Sequence, residues 1–460
     1  MSLATFIGGI HPFDGKNLSK DTPVVTLLPK GDLVFPLSQH IGAPAKAIVA
    51  KGDHVKMGQK IAEAGGFVSA PVISSVSGTV KVIEPRLAAN GTMQQSIVIE
   101  NDGAYEAVEG FGTKRDVSKL SREEIIQIIK EAGIVGMGGA GFPTHVKLMP
   151  KDPAKIEYVI VNGAECEPYL TSDYRMLMEE GERVVEGLKI ELSLFPHAKG
   201  VIGIENNKPD AIAHIESLIR GEKNISVVPL KTKYPQGGER FLIYAVTGRE
   251  INSTMLPADA GCIVSNTDTV ISIDYAVAES TPLIRRIITV TGDCVAKPQN
   301  FNVKTGTNYR ELLEAAGGTT TEPEKMISGG PMMGQALFSL DIPVTKTSSA
   351  LTCFAKDEVA AHPSSPCIRC GRCVDVCPGH LVPQIVMEYG ERGDLDGFVS
   401  VNGMECCECG CCSYICPAKR NLTQVFKECR AKVAAKRKKE AAEAKAKADA
   451  AKADQKGEVK

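Results

Sequence analysis

Cys367-Ile-Arg-Cys370-Gly-Arg-Cys373-Val-Asp-Val-Cys377-Pro378 and Cys406-Cys-Glu-Cys409-Gly-Cys-Cys412-Ser-Tyr-Ile-Cys416-Pro417 share one pattern, C-x2-C-x2-C-x3-C-P. Thiolates at this spacing hold [4Fe–4S] cubanes: three closely spaced cysteines reach one cube, and the fourth, before proline, turns to the other. The pattern predicts Cys367, Cys370, Cys373 and Cys416 on one cluster, with Cys406, Cys409, Cys412 and Cys377 on a second. CxxC pairs also hold zinc, which is the competing reading. Two complete runs, each closed by proline, favour iron–sulfur clusters and hence one-electron transfer. Cys407 and Cys411 fall off the spacing and read as non-ligand thiols. Cys166, Cys262, Cys294, Cys353 and Cys429 read as small packed or surface residues.

The electron-transfer module is a small part of the chain. At 460 residues the whole is too long for one core, and 43% apolar with 23% charged residues is a globular balance. A formal net charge of −2 gives no indication of a nucleic-acid partner. Eight of the fifteen cysteines lie in the two runs, which fits a reducing compartment better than a disulfide scaffold. No basic segment followed by an apolar stretch opens the chain, and nowhere do 18 apolar residues run together. The expectation is a body without a membrane span, on the cytoplasmic side.

Residues 1–115 begin with Gly8-Gly-Ile-His11-Pro12, where His11 reads as part of a turn. Short β-prone runs broken by glycine and proline follow. The stretch Ala50 to Ile61, with Ala70-Pro71 and Ser77-Gly-Thr-Val80, resembles a biotinyl/lipoyl barrel-sandwich hybrid. Its hairpin tip, Ala64-Gly-Gly-Phe-Val68, contains no lysine to modify, so the domain reads as structural. Residues 116–285 alternate strands and helices. A helix capped by Ser121, β-prone runs at 158–161 and 200–204, and amphipathic helices over about 172–192 and 208–220 predict a mostly parallel α/β sheet.

Residues 287–318 read strand, strand, helix, and the segment 286–350 resembles an SLBB β-grasp domain, a spacer by default. Residues 351–430 carry the cysteine runs, the only internal repeat apparent. The tail, 431–460, holds eleven Ala, nine Lys, one Arg and five acidic residues and lacks an apolar stripe. It reads as a solvated, partly helical extension, with contact to an acidic partner or anionic lipid as the alternative.

Ala132-Gly133-Ile-Val-Gly136-Met-Gly138-Gly139-Ala-Gly141-Phe142-Pro-Thr-His-Val-Lys147 is the second strong signal. Five glycines in nine residues are unfavourable unless the backbone must approach something closely. Backbone N–H groups around a phosphate, with a lysine adding charge, are the usual reason. The loop has neither Gly-Lys-Ser/Thr nor the G-x-G-x-x-G spacing.

Gly-x-Gly-Gly-Ala-Gly-Phe-Pro-Thr followed by a lysine resembles the FMN loop of the NADH-oxidising flavoprotein of respiratory complex I. Three further blocks follow in that family's order: Asn162-Gly-Ala-Glu165-Cys-Glu167-Pro168, Gln236-Gly-Gly238-Glu239-Arg240 and Ser265-Asn266-Thr-Asp-Thr269. Ala164 and Ser265 depart from the family's acidic residue and asparagine at those points. The resemblance implies that Gly136, Gly138, Gly139, Gly141 and Lys147 cradle the FMN phosphate and ribityl chain. By the same resemblance Asn162 and Asn266 bond the flavin, Phe142 stacks on the dinucleotide, and Glu167 accepts from it. Gly238 and Glu239 would lie near the isoalloxazine and nicotinamide. The acidic pair Glu165 and Glu167 disfavours a 2′-phosphate, which points to NAD over NADP.

Adding Gly329-Gly-Pro-Met-Met-Gly334 and the double cysteine run, the order over about residues 5 to 430 resembles the RnfC family of Rnf ion-translocating electron-transport complexes. The resemblance implies a multidomain α/β and β protein: barrel-sandwich hybrid, Rossmann-like FMN/NADH domain, SLBB domain, double-cluster ferredoxin domain and basic tail. It implies FMN and two [4Fe–4S] clusters as cofactors, NAD(H) as substrate, and no residue needed for acid–base catalysis. The implied partners are membrane subunits and a ferredoxin-type iron–sulfur protein of the complex, with the chain peripheral on the cytoplasmic face. Two alternatives stand beside this: a soluble flavin/iron–sulfur reductase serving a dedicated enzyme, and an electron-carrying adaptor without its own NADH site.

Overall fold

The computed structural model describes residues 3–139 and 141–457, so Met1, Ser2, Ala140 and the last three tail residues lie outside it. The chain forms two compact units. One contains His11–Asp357 with the first residues of the chain, and the other contains Glu358 onward with Ile7–Ile10.

The larger unit begins with two small antiparallel sheets. Leu33–Pro36, Met93–Asn101, Gly78–Leu87 and His54–Val55 make one, and Lys46–Ala47, Lys60–Glu63 and Val72–Ile73 make the other. Leu33, Phe35, Val55, Ile61, Val80, Ile97 and Ile99 fill their core. The alternation of apolar with polar residues decides this, because a strand buried on one face repeats every second residue.

The α/β part opens with the helix Arg122–Glu131, whose Ser121 and Glu124 form a reciprocal capping box. The two apolar runs lie in the strands Tyr158–Gly163 and Lys199–Glu205, within a four-stranded parallel sheet. In sheet order the strands are Ile225–Leu230, Lys199–Glu205, Tyr158–Gly163 and Cys262–Asn266. Chain order thus proceeds to one side of Tyr158–Gly163 and then reverses to its other side, at Cys262–Asn266. The single helix expected over about 172–192 is two helices, Ser172–Glu179 and Gly181–Ser193. Gly181 opens the second helix, and a Cβ there would lie 2.9 Å from the His214 and Leu218 side-chain ends, which would have to shift.

A six-stranded sheet completes the unit, in the order Val25–Leu27, Gln299–Lys304, Arg285–Thr291, Ala350–Phe354, Lys325–Ser328, Gln335–Leu337. The last two strands are an antiparallel hairpin turned by residues 329–334. Lys346 stitches this unit internally: its buried ammonium donates to Pro71 O (2.5 Å) and Gly133 O (2.7 Å).

The second unit is helical, with a core of Val386, Met387, Phe398, Leu422, Phe426, Cys429 and Val433. The tail continues the helix Leu422–Gly457 out of this core. It is tied to the unit as far as Lys436, which pairs with Asp396 at 2.9 Å.

Candidate functional site

In an open parallel sheet, ligands bind beyond the carboxyl ends of the strands where strand order reverses. Here that point lies between Tyr158–Gly163 and Cys262–Asn266. Asn162 and the segment through Glu167 leave the end of the first strand, and Asn266 ends the second.

The glycine loop arches over this point. Gly136 N donates to Phe142 O at 2.8 Å and Val135 pairs with Pro143, so the loop closes on itself. Gly138 and Gly139 are exposed. Gly138 has φ +84°, and a Cβ there would lie 2.9 Å from the Asn266 amide nitrogen. Gly141, at φ +70°, would press a Cβ to 2.7 Å from Thr347. A Cβ on Gly139 would meet no atom within 4 Å, so open space lies above the exposed backbone. The exposed backbone at Gly138 and Gly139 leaves room that a phosphate or ribityl chain could occupy, beside the Asn266 amide. Lys147 donates to Val264 O at 2.5 Å, close to Gly136. Phe142 is half-buried.

Asn266 uses both ends of its amide. Nδ2 donates to Asp173 Oδ2 at 2.8 Å, while Oδ1 accepts from Asp268 N and caps the helix Thr267–Glu279. Asn162 Nδ2 donates to Gly237 O at 2.8 Å, tying the Gln236–Glu239 block to the strand end. Gly238 caps the helix Glu239–Thr247, and Glu239 stands exposed in its first turn.

The acidic pair is held rigidly. Glu165, with φ +47°, accepts from Asp173 N at 2.7 Å and lies 3.7 Å from Lys16 Nζ. Its second oxygen is buried and accepts no hydrogen bond. Glu167 Oε1 accepts from Met332 N at 2.7 Å and Met333 N at 3.2 Å. Burial raises the Glu167 carboxyl to about 7 despite those donors. Burial, with help from the Glu165 charge, raises Asp173 to about 7 as well. Beneath the loop Glu191 is bonded to Ser265 and raised by burial to about 7.

Asp173, Lys16 and Lys208 join the site without having stood out in the sequence. Lys16 donates to Glu167 O and Leu170 O, and Lys208 donates to Ala164 O at 2.7 Å. Neither lysine stands in a glycine-rich or acidic motif; only tertiary packing brings them here.

The cysteine runs repeat in the backbone as well as in sequence. Arg369 and Glu408, Gly371 and Gly410, and His380 and Lys419 occupy equivalent places in the two runs, and all six have positive φ. Arg369 N reaches Cys367 Sγ at 3.4 Å, and Glu408 N reaches Cys406 Sγ at 3.3 Å. Leu381 N reaches Cys377 Sγ at 3.4 Å. Cys377 lines one recess with Cys406, Cys409 and Cys412, and the two off-spacing cysteines, Cys407 and Cys411, line it as well, beside Phe426. Cys373 is within electrostatic reach of both Cys370 and Cys416. Burial raises the Cys406 and Cys412 thiols to about 12; bound to cationic iron they would be thiolates. Among the described residues no three His, Cys, Asp or Glu side chains gather closely enough for a single metal ion. A cube of four irons and four sulfides is a wider body, and its thiolates stand farther apart than those on one ion.

Known proteins resemble this chain in sequence. Residues 4–104 match the RnfC barrel sandwich hybrid domain, 129–275 the Nuo51 FMN-binding domain, and 287–336 the SLBB domain. The chain is 46% identical over 391 residues to a subunit of the proton-translocating ferredoxin:NAD(+) oxidoreductase complex of Clostridium ljungdahlii, covering 85% of each chain. It is 44% identical to a subunit of the Na(+)-translocating ferredoxin:NAD(+) oxidoreductase complex of Acetobacterium woodii, covering 95% of this chain and 98% of that one. A subunit of the ion-translocating oxidoreductase complex of Vibrio cholerae is 36% identical, over 86% of this chain and 51% of that one. The multidomain α/β layout and an oxidoreductase activity follow, and the chain belongs to the RnfC family.

Proposed function

We propose that this chain is the NADH/NAD-reactive peripheral subunit of an ion-translocating ferredoxin:NAD oxidoreductase complex. It exchanges a hydride between NAD(H) and FMN, and passes single electrons through two [4Fe–4S] clusters to or from partner subunits. The observation that carries the reading is the convergence of the Gly136–Phe142 loop, the Asn162–Glu167 segment and Asn266 at the strand-order reversal.

A bound flavin supplies the conversion between a hydride's two electrons and one-electron carriers. The residues supply position. Gly138 and Gly139 leave the backbone open to the phosphate and ribityl chain, and Lys147 adds positive charge beneath the loop. Asp173 and the helix Thr267–Glu279 fix the Asn266 amide in one orientation, so that it meets the flavin without reorganising. Glu165 is buried, ion-paired with Lys16 and bonded to Asp173 N, so it braces the segment that carries the acidic pair. In the second unit, the N–H groups of Arg369, Leu381 and Glu408 point at cysteine sulfurs, the kind of contact that tunes cluster potential. Among the described residues no helix is long and apolar enough to cross a membrane. Attachment at the cytoplasmic face would therefore come through membrane subunits of the complex.

The test is anaerobic reconstitution with iron, sulfide and FMN, then titration with NADH under optical and EPR detection. Flavin bleaching followed by two reduced [4Fe–4S] signals is the expected result. Clusters that form while NADH reduces neither flavin nor cluster would overturn the reading in favour of an adaptor.

A further inference from the structure

The turn Gly329-Gly-Pro-Met-Met-Gly334 belongs to the six-stranded sheet, yet it is fastened to the segment that leaves the α/β strand Tyr158–Gly163. Two successive N–H groups, of Met332 and Met333, converge on one oxygen of Glu167. The approach is close enough to require glycine on the turn's side. A Cβ on Gly330 would lie 2.3 Å from Glu167 Cγ, and one on Gly334 would lie 2.4 Å from Gly330 O. From Glu167 the contacts continue inward: its carbonyl accepts from Lys16, Lys16 pairs with Glu165, and Glu165 holds Asp173 N. Asp173 in turn holds Asn266, which lies against Gly138. The turn is the outer end of one connected series that begins at the glycine loop.

We propose that the turn 329–334 forms a wall of the dinucleotide site, and that Glu167 is a positioning residue that holds this wall in place. This rests on the NAD(H) reading above. A carboxyl oxygen that already accepts two N–H bonds has its lone pairs engaged, so a ribose hydroxyl at Oε1 would have to displace the turn. Met333 is half exposed beside this contact, and a thioether is an adaptable apolar surface for a flat ring. The β-grasp segment is then part of the substrate site as well as a spacer.

The holoprotein, loaded with FMN and clusters, is compared with Glu167→Ala, Glu167→Gln, Gly330→Ala and Met333→Ala. Readouts are FMN content, NADH KM against kcat, and amide hydrogen exchange over 329–334. Glu167→Ala and Gly330→Ala should speed exchange at Met332 and Met333 and raise KM about tenfold, equivalent to ~1.4 kcal/mol of binding. FMN content and kcat should stay close to wild type. Glu167→Gln keeps an acceptor oxygen and should restore both exchange and KM. Met333→Ala, at an exposed position, should raise KM with exchange unchanged. A normal KM in both Gly330→Ala and Met333→Ala overturns the wall. Glu167→Gln as damaging to KM as Glu167→Ala, with slow exchange, would mean that the carboxylate touches the dinucleotide itself and also overturns the proposal. A wild-type holoprotein that NADH cannot reduce brings down the underlying reading; normal reduction with unmoved KM brings down this one alone.

Discussion

Asn266 and Asp173 are joined by a 2.8 Å hydrogen bond from Nδ2 to Oδ2, and this bond sets the orientation of the amide side chain lying directly against Gly138. Replacing Asp173 by alanine leaves that amide anchored at Oδ1 alone. A buried hydrogen bond of this kind contributes about 1 kcal/mol. FMN should therefore bind roughly five- to tenfold more weakly to Asp173→Ala, measured by quenching of flavin fluorescence on titration. Asp173→Asn retains an acceptor oxygen and should bind close to wild type. Equal affinity for all three proteins would show that Asp173 does not position the flavin contact.

Gly138 and Gly139 are adjacent, but their surroundings differ. A methyl group at 138 meets Asn266 and must adopt φ +84°, a strain of about 1–2 kcal/mol for a residue with Cβ. A methyl group at 139 meets nothing in the protein. Gly138→Ala should lower both the melting temperature and FMN affinity. Gly139→Ala should leave melting unchanged while weakening FMN, because its methyl group enters only the cradle. Undiminished FMN binding by Gly139→Ala would place the phosphate elsewhere.

Cys377 lies in the first cysteine run but lines a recess with cysteines of the second, Cys406, Cys409 and Cys412 together with the off-spacing Cys407 and Cys411. Cys377→Ser and Cys406→Ser should therefore remove the same EPR signal and about half of the iron. Cys416→Ser should remove the other signal, as should Cys373→Ser. Loss patterns that follow sequence order, Cys377 grouped with Cys373, would contradict the crossed arrangement.

Glu191 is fully buried, and its carboxyl is raised to about 7, compared with about 4.3 in an unfolded chain. The folded form therefore binds the proton more tightly, and Glu191 costs stability as pH rises from about 4.3 through about 7. Glu191→Gln keeps a partner for Ser265 and removes the charge. Its melting temperature should approach that of wild type at pH 5 and exceed it at pH 8. A difference independent of pH would mean that Lys147, whose charge opposes the shift, neutralises the carboxylate in the native fold.

Much of this protein is legible in local spacing. The cysteine intervals, the glycine loop, the Ser121 cap and the apolar strand runs are patterns within a few residues of chain. Their physical causes are equally local: ligand reach, backbone conformation, helix capping and side-chain periodicity. The break at Gly181 is not legible in this way, because helical periodicity continues across it, yet the chain forms two helices there.

The sequence by itself determined which chemistry the chain can carry: thiolates at cubane spacing and a backbone cradle free of side chains. Tertiary structure alone decided which residues serve that chemistry together. Lys16 reaches the Glu165–Glu167 segment across 151 residues of chain, Glu167 meets Met332 across 165, and Asp173 meets Asn266 across 93. Such pairings have no period or motif. They arise because segments brought together in the fold must satisfy their buried charges and amides with whatever distant parts of the chain lie alongside.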